Sequence, residues 1–491
     1  MRVRVAFSVV LAGCLLVLSP VTALALQAPG GTAEEVEKIT DLGDQQQVAV
    51  TIYNENLALV KDRRLVRLDQ GPNRLAFREV SARIRPETAL LRSISHGEGF
   101  YLVEQNFDFD LLSPEKLLQK YVGKKVRVVK THPRTGEETY ETARILAANN
   151  GVVLRIGDRI ETGIPGRLVY PEVPANLRDR PTLVTLLNSG TAEPQQLELS
   201  YLTAGLSWRA DYVAELNADD DRLDLSGWVT LTNQSGTPYR EARLQLVAGD
   251  VHRVREEMRM ARDLRVEEAM TKAAAPQMAE EALFEYHLYT LDRPTTLRQN
   301  QTKQVALLSA GDVPVRKEFL LRGSDYYYSR SFGDLGRKLK VGVFIELENR
   351  REIGLGLPLP KGVVRVYKRD GAGNTQFVGE DRIDHTPEKE TVRLKLGEAF
   401  DVTAAKKQTD FKKLGGFGPY HYVFESAYQI DLKNAKDEEV VVRVLEPMPG
   451  DWEVLKESHA HVKEAAGTAV WQVPVPAGGE ATLNYRVRVR Y

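Results

Sequence analysis

Short runs in which apolar and polar residues alternate recur along most of this chain, and they constrain its fold more than any other feature. In the first of them Val48, Val50 and Ile52 fall on one side of an extended segment, as a half-buried strand requires. Similar runs follow at close intervals and are separated by turns that contain Gly, Pro or Asn. The pattern predicts a mostly β protein built from antiparallel sheets.

One short helix and a group of closely spaced strands stand out in the first half of the chain. Ser113 is a suitable N-cap, Pro114 suits the first helical turn, and Gly123 is suited to end the helix. Five short alternating runs then lie within 122–170. We expect them to form a small SH3-like barrel inserted into a larger N-terminal β domain over 48–254.

The segment 255–285 breaks the alternation. It is rich in Ala, Glu, Arg and Met, and it contains Pro276, which interrupts a regular helix. We therefore predict a short helical or disordered linker here. Alternation returns over 286–491, where the spacing of the runs predicts a C-terminal antiparallel β-sandwich domain. Several domains are expected because the chain is longer than a single typical core.

The N-terminus carries the features of a secretory signal peptide over 1–25. Arg2 and Arg4 precede an apolar run, and the small-residue site Ala23-Leu24-Ala25 suits cleavage. The polar residues 26–47 predict a flexible leader. These features predict export to the periplasm or the cell exterior. Pro20 interrupts the apolar stretch, so no transmembrane span is expected in the mature chain.

Cys14 is the only cysteine and leaves an alternative open. It follows Leu11-Ala12-Gly13, a sequence that also fits a bacterial lipoprotein site at which Cys14 would be lipidated. Cleavage after residue 25 instead leaves a mature chain without a thiol, which excludes disulfides and a cysteine nucleophile. The whole chain has 67 basic and 68 acidic residues, so its charge gives no indication of nucleic-acid binding.

Three longer segments carry a resemblance to a known family. They are YLTAGLSWRADYVAEL at Tyr201–Leu216, GWVTLTNQSGTPYREARLQLVAGDV at Gly227–Val251 and LPLPKGVVRVYKRDGAGNTQFVGEDRIDHTP at Leu357–Pro387. From about Val48 to Tyr491 the chain resembles the bacterial family called domain of unknown function 4139. The resemblance implies a mostly β, multi-domain envelope protein and brings no established activity, substrate or catalytic residue.

His459 and His461 form a candidate metal site. Residues two apart on a strand point to the same face, so their imidazoles can converge on one ion. Two ligands do not complete a site, and Glu457 or Glu464 would have to join them. An exposed pair of histidines on a strand or hairpin is the alternative.

Methionines concentrate in the predicted linker and suggest a second kind of metal chemistry. Thioethers are soft ligands for Cu(I), but methionine is equally an adaptable apolar side chain for a helix that packs on a neighbour. The four methionines of the predicted linker are Met258, Met260, Met270 and Met278.

Tyr326, Tyr327, Tyr328 and Arg330 form a candidate partner-binding surface, because Tyr and Arg are enriched where proteins recognise partners. In the alternative interpretation, a strand would bury Tyr326 and Tyr328 and leave Tyr327 exposed.

No motif of this sequence specifies a reaction, and none indicates a cofactor. The leading hypothesis is an exported, non-enzymatic binding or scaffold protein that recognises a protein or glycan of the cell envelope. One alternative is a metal-dependent hydrolase whose residues converge from separate loops around the two histidines. The other is copper handling through the methionine-rich linker.

Overall fold

Strands dominate the structure, a computed structural model that describes residues 37–491 apart from 55, 109, 150, 175–176, 250–277 and 416–419. They account for 65% of the structure against 4% that is helical, so the predicted mostly β, multi-domain class is confirmed. Among these described residues, three short 3-10 helices occupy Pro86–Thr88, Asp325–Tyr328 and Arg351–Ile353.

The first half of the chain contains sixteen described strands and one α-helix. They are β1 (Lys38–Thr40), β2 (Gln45–Tyr53), β3 (Leu57–Arg67), β4 (Gly71–Arg78), β5 (Leu90–Ser93), β6 (Tyr101–Asp108), α1 (Pro114–Lys120), β7 (Lys125–Thr131), β8 (Glu138–Ala147), β9 (Val153–Ile156), β10 (Arg159–Thr162), β11 (Arg167–Val169), β12 (Thr182–Ser189), β13 (Pro194–Thr203), β14 (Leu206–Leu216), β15 (Arg222–Asn233) and β16 (Tyr239–Ala248).

Fifteen further strands follow among the described residues. They are β17 (Met278–Leu283), β18 (Tyr286–Leu291), β19 (Thr295–Leu297), β20 (Gln301–Pro314), β21 (Arg316–Arg322), β22 (Asp334–Glu348), β23 (Gly362–Arg369), β24 (Thr375–Ile383), β25 (Thr391–Leu414), β26 (Val423–Asn434), β27 (Val440–Pro447), β28 (Asp451–Glu457), β29 (His461–Ala465), β30 (Thr468–Val475) and β31 (Glu480–Arg490).

The strands of the described residues form five sheets. Their orders are β1-β4-β12-β6, β10-β9-β8-β7-β11, β17-β18-β16-β2-β3-β13-β5 with β19 beside β16, β20-β15-β14-β23-β24, and β28-β31-β26-β25-β22-β21-β27-β30-β29. Most neighbours are antiparallel, but β1 with β4, β2 with β16, β14 with β23 and β21 with β27 run parallel. Parallel neighbours need long connections, which alternation within one strand does not reveal.

The region around the predicted insertion follows the sequence pattern closely. Helix α1 begins after Ser113, whose hydroxyl accepts a hydrogen bond from the Lys116 N–H at 3.1 Å. Strands β7 to β11 then form a separate five-stranded sheet with its own apolar cluster, which includes Tyr121, Val128 and Ile145. Each of the five predicted runs corresponds to one of these strands.

The predicted boundary between two successive large domains is wrong. Strand β14 pairs with β23 and β15 pairs with β20, so residues from both sides of the predicted linker share one sheet. One large apolar cluster accordingly extends from Val48 to Leu394. A second cluster, from Phe319 to Val489, fills the nine-stranded sheet. Alternation is a local signal and does not report which distant strand completes a sheet.

The end of the predicted linker is a strand. Most of 255–285, including Met258, Met260 and Met270, lies outside the described residues. Met278 begins β17, which pairs antiparallel with β18, and its side chain is buried in the larger cluster. Packing against the sheet therefore determines the conformation here, and Met278 is an apolar core residue.

The end of the predicted flexible leader is also ordered. Strand β1 pairs parallel with β4, and β2 begins at Gln45. The Glu37 carboxylate contacts the Arg178 guanidinium at 2.6 Å and that of Arg74 at 3.1 Å. These ion pairs and the strand pairing hold a segment whose composition alone predicts disorder.

The nine-stranded sheet folds back on itself. Strands β26 and β31 lie near one end of the strand order, β30 lies near the other, and β30 nevertheless contacts both. The second cluster fills the space between these two faces, which gives the C-terminal unit the predicted sandwich form. Within the described residues no helix is long and apolar enough to cross a membrane.

Asp220 joins this sandwich to the neighbouring sheet. Its carboxylate contacts Lys317 Nζ of β21 at 2.7 Å and Lys368 Nζ of β23 at 2.5 Å. Burial alone would raise the pKa of Asp220, but the hydrogen bonds and positive charges of the two lysines outweigh burial and lower the pKa.

Replacing Asp220 by asparagine is expected to flatten the loss of stability in acid. A carboxylate whose pKa is lowered by folding contributes stability above its unfolded pKa of about 4, and this contribution is lost as the pH falls through the folded pKa. The wild type should therefore lose more unfolding free energy than Asp220→Asn between about pH 5 and about pH 2. Calorimetry over this range measures the difference. Asp219→Asn is the exposed control, and equal acid slopes for the wild type and Asp220→Asn would contradict the prediction.

Candidate functional site

The predicted tyrosine surface lies on a turn of 3-10 helix, which leaves some of its residues exposed and buries the others. Tyr326 is 53% exposed, whereas Tyr327 and Tyr328 are buried. Both sequence interpretations of these residues are therefore wrong in part. The helical turn replaces the alternation of a strand, so consecutive tyrosines point inward and only Tyr326 and Arg330 remain exposed as predicted.

Gln408 of β25 holds this loop against the sandwich. Its side-chain oxygen accepts a hydrogen bond from the Phe332 N–H at 2.6 Å. Its amide nitrogen donates to the Arg330 carbonyl at 3.2 Å and to the Tyr428 hydroxyl at 3.1 Å. The position of the exposed Tyr326 is thus determined by a side chain of the sheet.

Aromatic rings around Tyr326 form the first half of an exposed surface. The Tyr326 and Phe332 rings pack edge to face with centroids 5.8 Å apart. The Arg330 guanidinium lies 4.7 Å from the centre of the Phe332 ring. An exposed tyrosine, a half-buried phenylalanine and a cation therefore lie together.

Strands β25 and β26 and the residues next to β26 and β31 supply the second half. Phe424 packs against Phe411 at 5.7 Å, Tyr422 at 6.3 Å and Tyr491 at 5.8 Å, and its ring is parallel to that of Tyr422 within 2°. Lys413 Nζ lies 5.4 Å from the Tyr422 ring. Tyr422 is 53% exposed, so part of its ring is accessible from the solvent.

Strand β25 connects the two halves, because Gln408 on this strand accepts the Phe332 N–H at 2.6 Å and Phe411 lies three residues farther along it. Burial raises the pKa of Tyr491, and the Asp325 carboxylate raises it further. Asp325 begins the 3-10 turn that carries Tyr326. We call the combined set the aromatic end surface; its members are Tyr326, Arg330, Phe332, Phe411, Lys413, Tyr422, Phe424 and Tyr491.

A buried lysine lies directly beneath Tyr327. Lys406 of β25 and Glu446 of β27 are 1% and 0% exposed, and Lys406 Nζ lies 2.6 Å from Glu446 Oε1. Tyr327 and Tyr428 present their rings to Nζ, with centroids 4.4 and 4.8 Å away. Burial lowers the pKa of Lys406, which the Glu446 carboxylate partly opposes.

The other oxygen of Glu446 is bound by a tyrosine. The Tyr328 hydroxyl donates to Glu446 Oε2 at 2.8 Å and lies 3.0 Å from the Tyr485 hydroxyl. Burial, and next the Glu446 charge, raise the pKa of Tyr328 well above its usual value. Tyr328 therefore keeps its proton and remains a hydrogen-bond donor.

The predicted metal site at His459 and His461 is not formed. His459 lies in a bend before β29, and its Nδ1 contacts the Ser458 hydroxyl at 2.9 Å. His461 Nδ1 instead contacts Glu457 Oε2 at 2.9 Å, an oxygen that also accepts the Trp471 indole N–H. His459 lies in the bend and His461 begins β29, so the two histidines do not share a strand. In the described part of the chain, no three His, Cys, Asp or Glu residues group as metal ligands.

A known protein family matches the part of the chain that contains the aromatic end surface. A family model described as "Domain of unknown function (DUF4139)" matches residues 197–491, which is more than half of the chain. The chain belongs to the DUF4139 family. The DUF4139 match begins within β13 and contains the whole aromatic end surface together with Lys406 and Glu446. A search of curated proteins finds no match.

One DUF4139 motif is explained by close backbone packing. Gly362 ends the Leu-Pro-Leu-Pro-Lys-Gly sequence and begins β23, which runs parallel to β14. A Cβ atom at Gly362 would overlap the Ala210 carbonyl and touch the Tyr212 ring. The Tyr212 hydroxyl in turn donates to the Pro360 carbonyl at 2.8 Å. The motif therefore serves the contact between two strands.

Proposed function

We propose that this DUF4139 protein is an exported, non-enzymatic binding protein that recognises a cell-envelope glycan through the aromatic end surface. Residues 1–25, with their signal-peptide features, support export. The single observation that carries the binding proposal is the group of half-exposed rings with two cations at its edge.

This surface suits a sugar chain better than an extended apolar partner. Aromatic faces pack against the apolar faces of sugar rings, while charged groups at the rim bind hydroxyl or carboxylate oxygens. The exposed rings of Tyr326 and Tyr422 offer such faces, and Arg330 and Lys413 offer the polar contacts. The chemistry needs neither a metal nor a nucleophile.

Removing the two most exposed rings of the surface is expected to weaken glycan binding. Each anchoring aromatic residue contributes about 1–2 kcal/mol, so the double variant Tyr326→Ala/Tyr422→Ala should lose at least about tenfold in affinity. Sedimentation of the purified mature protein with insoluble peptidoglycan measures the bound fraction. Phe400→Ala is the matched control, because Phe400 is 95% exposed on the same strand β25 but lies outside the surface.

Two results would contradict the proposal. One is a wild type that does not sediment with peptidoglycan or any other isolated envelope polysaccharide. The other is a double variant that binds as tightly as Phe400→Ala. Retention of the wild type on glycan-free envelope protein alone would assign the surface to a protein partner instead.

A further inference from the structure

A polar cavity lies on the outer face of the sheet that contains β2, β3, β13 and β16. Val48 and Val50 of β2 are buried in the large apolar cluster, so the residues that alternate with them face away from it. The cavity has a volume of about 250 Å³ and contains three cationic side chains and one acid. Its lining residues are Gln47, Ala49, Thr51, Lys61, Arg63, Glu198, Arg243 and Gln245.

The register of the strands explains this depression. Ala49 is aligned with Lys61 of β3 on one side and with Arg243 of β16 on the other. Aligned residues of neighbouring strands share a face, and two strand spacings place the backbones of Lys61 and Arg243 about 10 Å apart. The methyl group of Ala49 fills little of the space between them. Two long cationic side chains therefore flank an open floor.

The acid that lines the cavity is already neutralised. Glu198 is 1% exposed, and its carboxylate contacts one nitrogen each of Arg63 and Arg92, both at 2.6 Å. Arg63 also donates to the Gln47 side-chain oxygen at 3.2 Å. A buried carboxylate thus holds the Arg63 guanidinium at the wall of the cavity, and two arginines together outweigh its negative charge.

Lys61 and Arg243 differ from Arg63 in having no acidic partner. Both are exposed, and neither forms an ion pair or a side-chain hydrogen bond with another residue that the structure describes. Beside them the Thr51 hydroxyl donates to the Gln245 side-chain oxygen at 3.3 Å. Like charges on two sides of a gap repel each other, and an anion between them would replace this repulsion by two attractions.

We propose that this cavity binds a small anionic ligand, with a phosphate or carboxylate group between Lys61 and Arg243. An ammonium and a guanidinium both donate charge-assisted hydrogen bonds to such oxygens. The volume lies below the roughly 300–1,000 Å³ of sites for drug-sized ligands, so a ligand the size of one sugar unit fits. The cavity and the aromatic end surface lie on different sheets, so this proposal does not depend on the glycan-binding function.

Isothermal titration calorimetry of the purified mature protein with three sugars tests the site in a phosphate-free buffer of low salt. Glucose 6-phosphate carries a phosphate, glucuronate carries a carboxylate, and glucose is uncharged. We expect at least one of the two anionic sugars to bind about tenfold or more tightly than glucose, and the one that binds identifies the anionic group. Binding of neither anionic sugar, or equally tight binding of glucose, would overturn the proposal.

A charge variant separates a site from general attraction to basic residues. Arg243→Gln should weaken binding of the anionic sugar by about tenfold or more, because it removes a charge-assisted hydrogen bond. Arg67→Gln is the matched control, because Arg67 is exposed on β3 but does not line the cavity. The control should bind like the wild type. Equal losses of affinity in the two variants would refute a specific site.

Ala49→Leu tests the shape of the cavity without a change of charge. The larger side chain would occupy the open floor, so the anionic sugar should again lose about tenfold or more in affinity. Unchanged affinity in a variant that circular dichroism shows to be folded would count decisively against the proposal. If Ala49→Leu does not fold, the comparison of Arg243→Gln with Arg67→Gln still decides the question.

Discussion

Replacing Arg64 by methionine is expected to lower the free energy of unfolding by about 3–5 kcal/mol, because it leaves a buried carboxylate without its cation. Arg64 is fully buried on β3, and its guanidinium contacts Asp62 Oδ2 at 2.8 Å. It also donates to the carbonyls of Thr40 and Arg78, each at 2.9 Å, and lies 3.8 Å from the centre of the Phe77 ring. Methionine fills similar space but satisfies none of these acceptors.

Urea unfolding followed by circular dichroism measures this loss. Arg337→Met is the matched control, because Arg337 also contacts an aspartate, Asp334 at 2.7 Å, but is 90% exposed. An exposed ion pair contributes little, so the control should unfold like the wild type. Equal unfolding midpoints for Arg64→Met and Arg337→Met would show that the buried cation is dispensable.

Trp471→Ala is expected to remove about 3–5 kcal/mol from the stability of the C-terminal sandwich, through the cavity that it leaves. Trp471 is fully buried on β30 and stacks on Tyr485 with centroids 4.7 Å apart. Its indole N–H donates to Glu457 Oε2 at 2.9 Å, the oxygen that His461 also contacts. The variant therefore loses an aromatic contact and a polar contact together.

Trp471→Phe separates these two contributions. Phenylalanine keeps a ring against Tyr485 but has no N–H for Glu457, so a smaller loss of about 1–2 kcal/mol is expected. Equal losses for the alanine and phenylalanine variants in urea unfolding would mean that the ring contributes nothing beyond its hydrogen bond.

Sequence signals predicted those parts of the fold that form from neighbouring residues. Ser113 and Pro114 define the start of α1, and the strands between residues 125 and 169 alternate and end at turns. The predictions failed where a distant contact decides the outcome. Glu37 is paired with Arg178, and Met278 is buried in the apolar cluster that extends from Val48 to Leu394.

The binding surface was only partly predictable for the same reason. Tyr326 and Arg330 carry a local compositional signal, whereas Phe411 of β25 meets Tyr422 before β26 and Tyr491 after β31. The spacing of Tyr422 and Phe424, two residues apart, was the available signal that both share one face. Lys406 had no local signal, because its partner lies on a non-adjacent strand.

A further sequence pattern has a structural role that polarity alone does not indicate. Asn233, Asn349 and Asn434 each follow the pattern Leu-X-Asn at the end of a strand and are buried. Each side-chain amide donates to several backbone carbonyls of the adjoining loops, for example from Asn349 to the Leu357 carbonyl at 2.8 Å. Beyond the ends of the sheets, buried side-chain amides thus supply the hydrogen bonds that neighbouring strands supply to backbone carbonyls within a sheet.

The parallel pairing of β14 with β23 has a consequence for the order in which the chain folds during synthesis. Ala210 is aligned with Gly362, so about 150 residues must emerge from the ribosome before this sheet can close. The inserted sheet of β7 to β11 needs fewer than fifty contiguous residues and can fold first. The earlier strands β14 and β15 must wait with unsatisfied edges, which makes this interval the period of greatest exposure to misassembly.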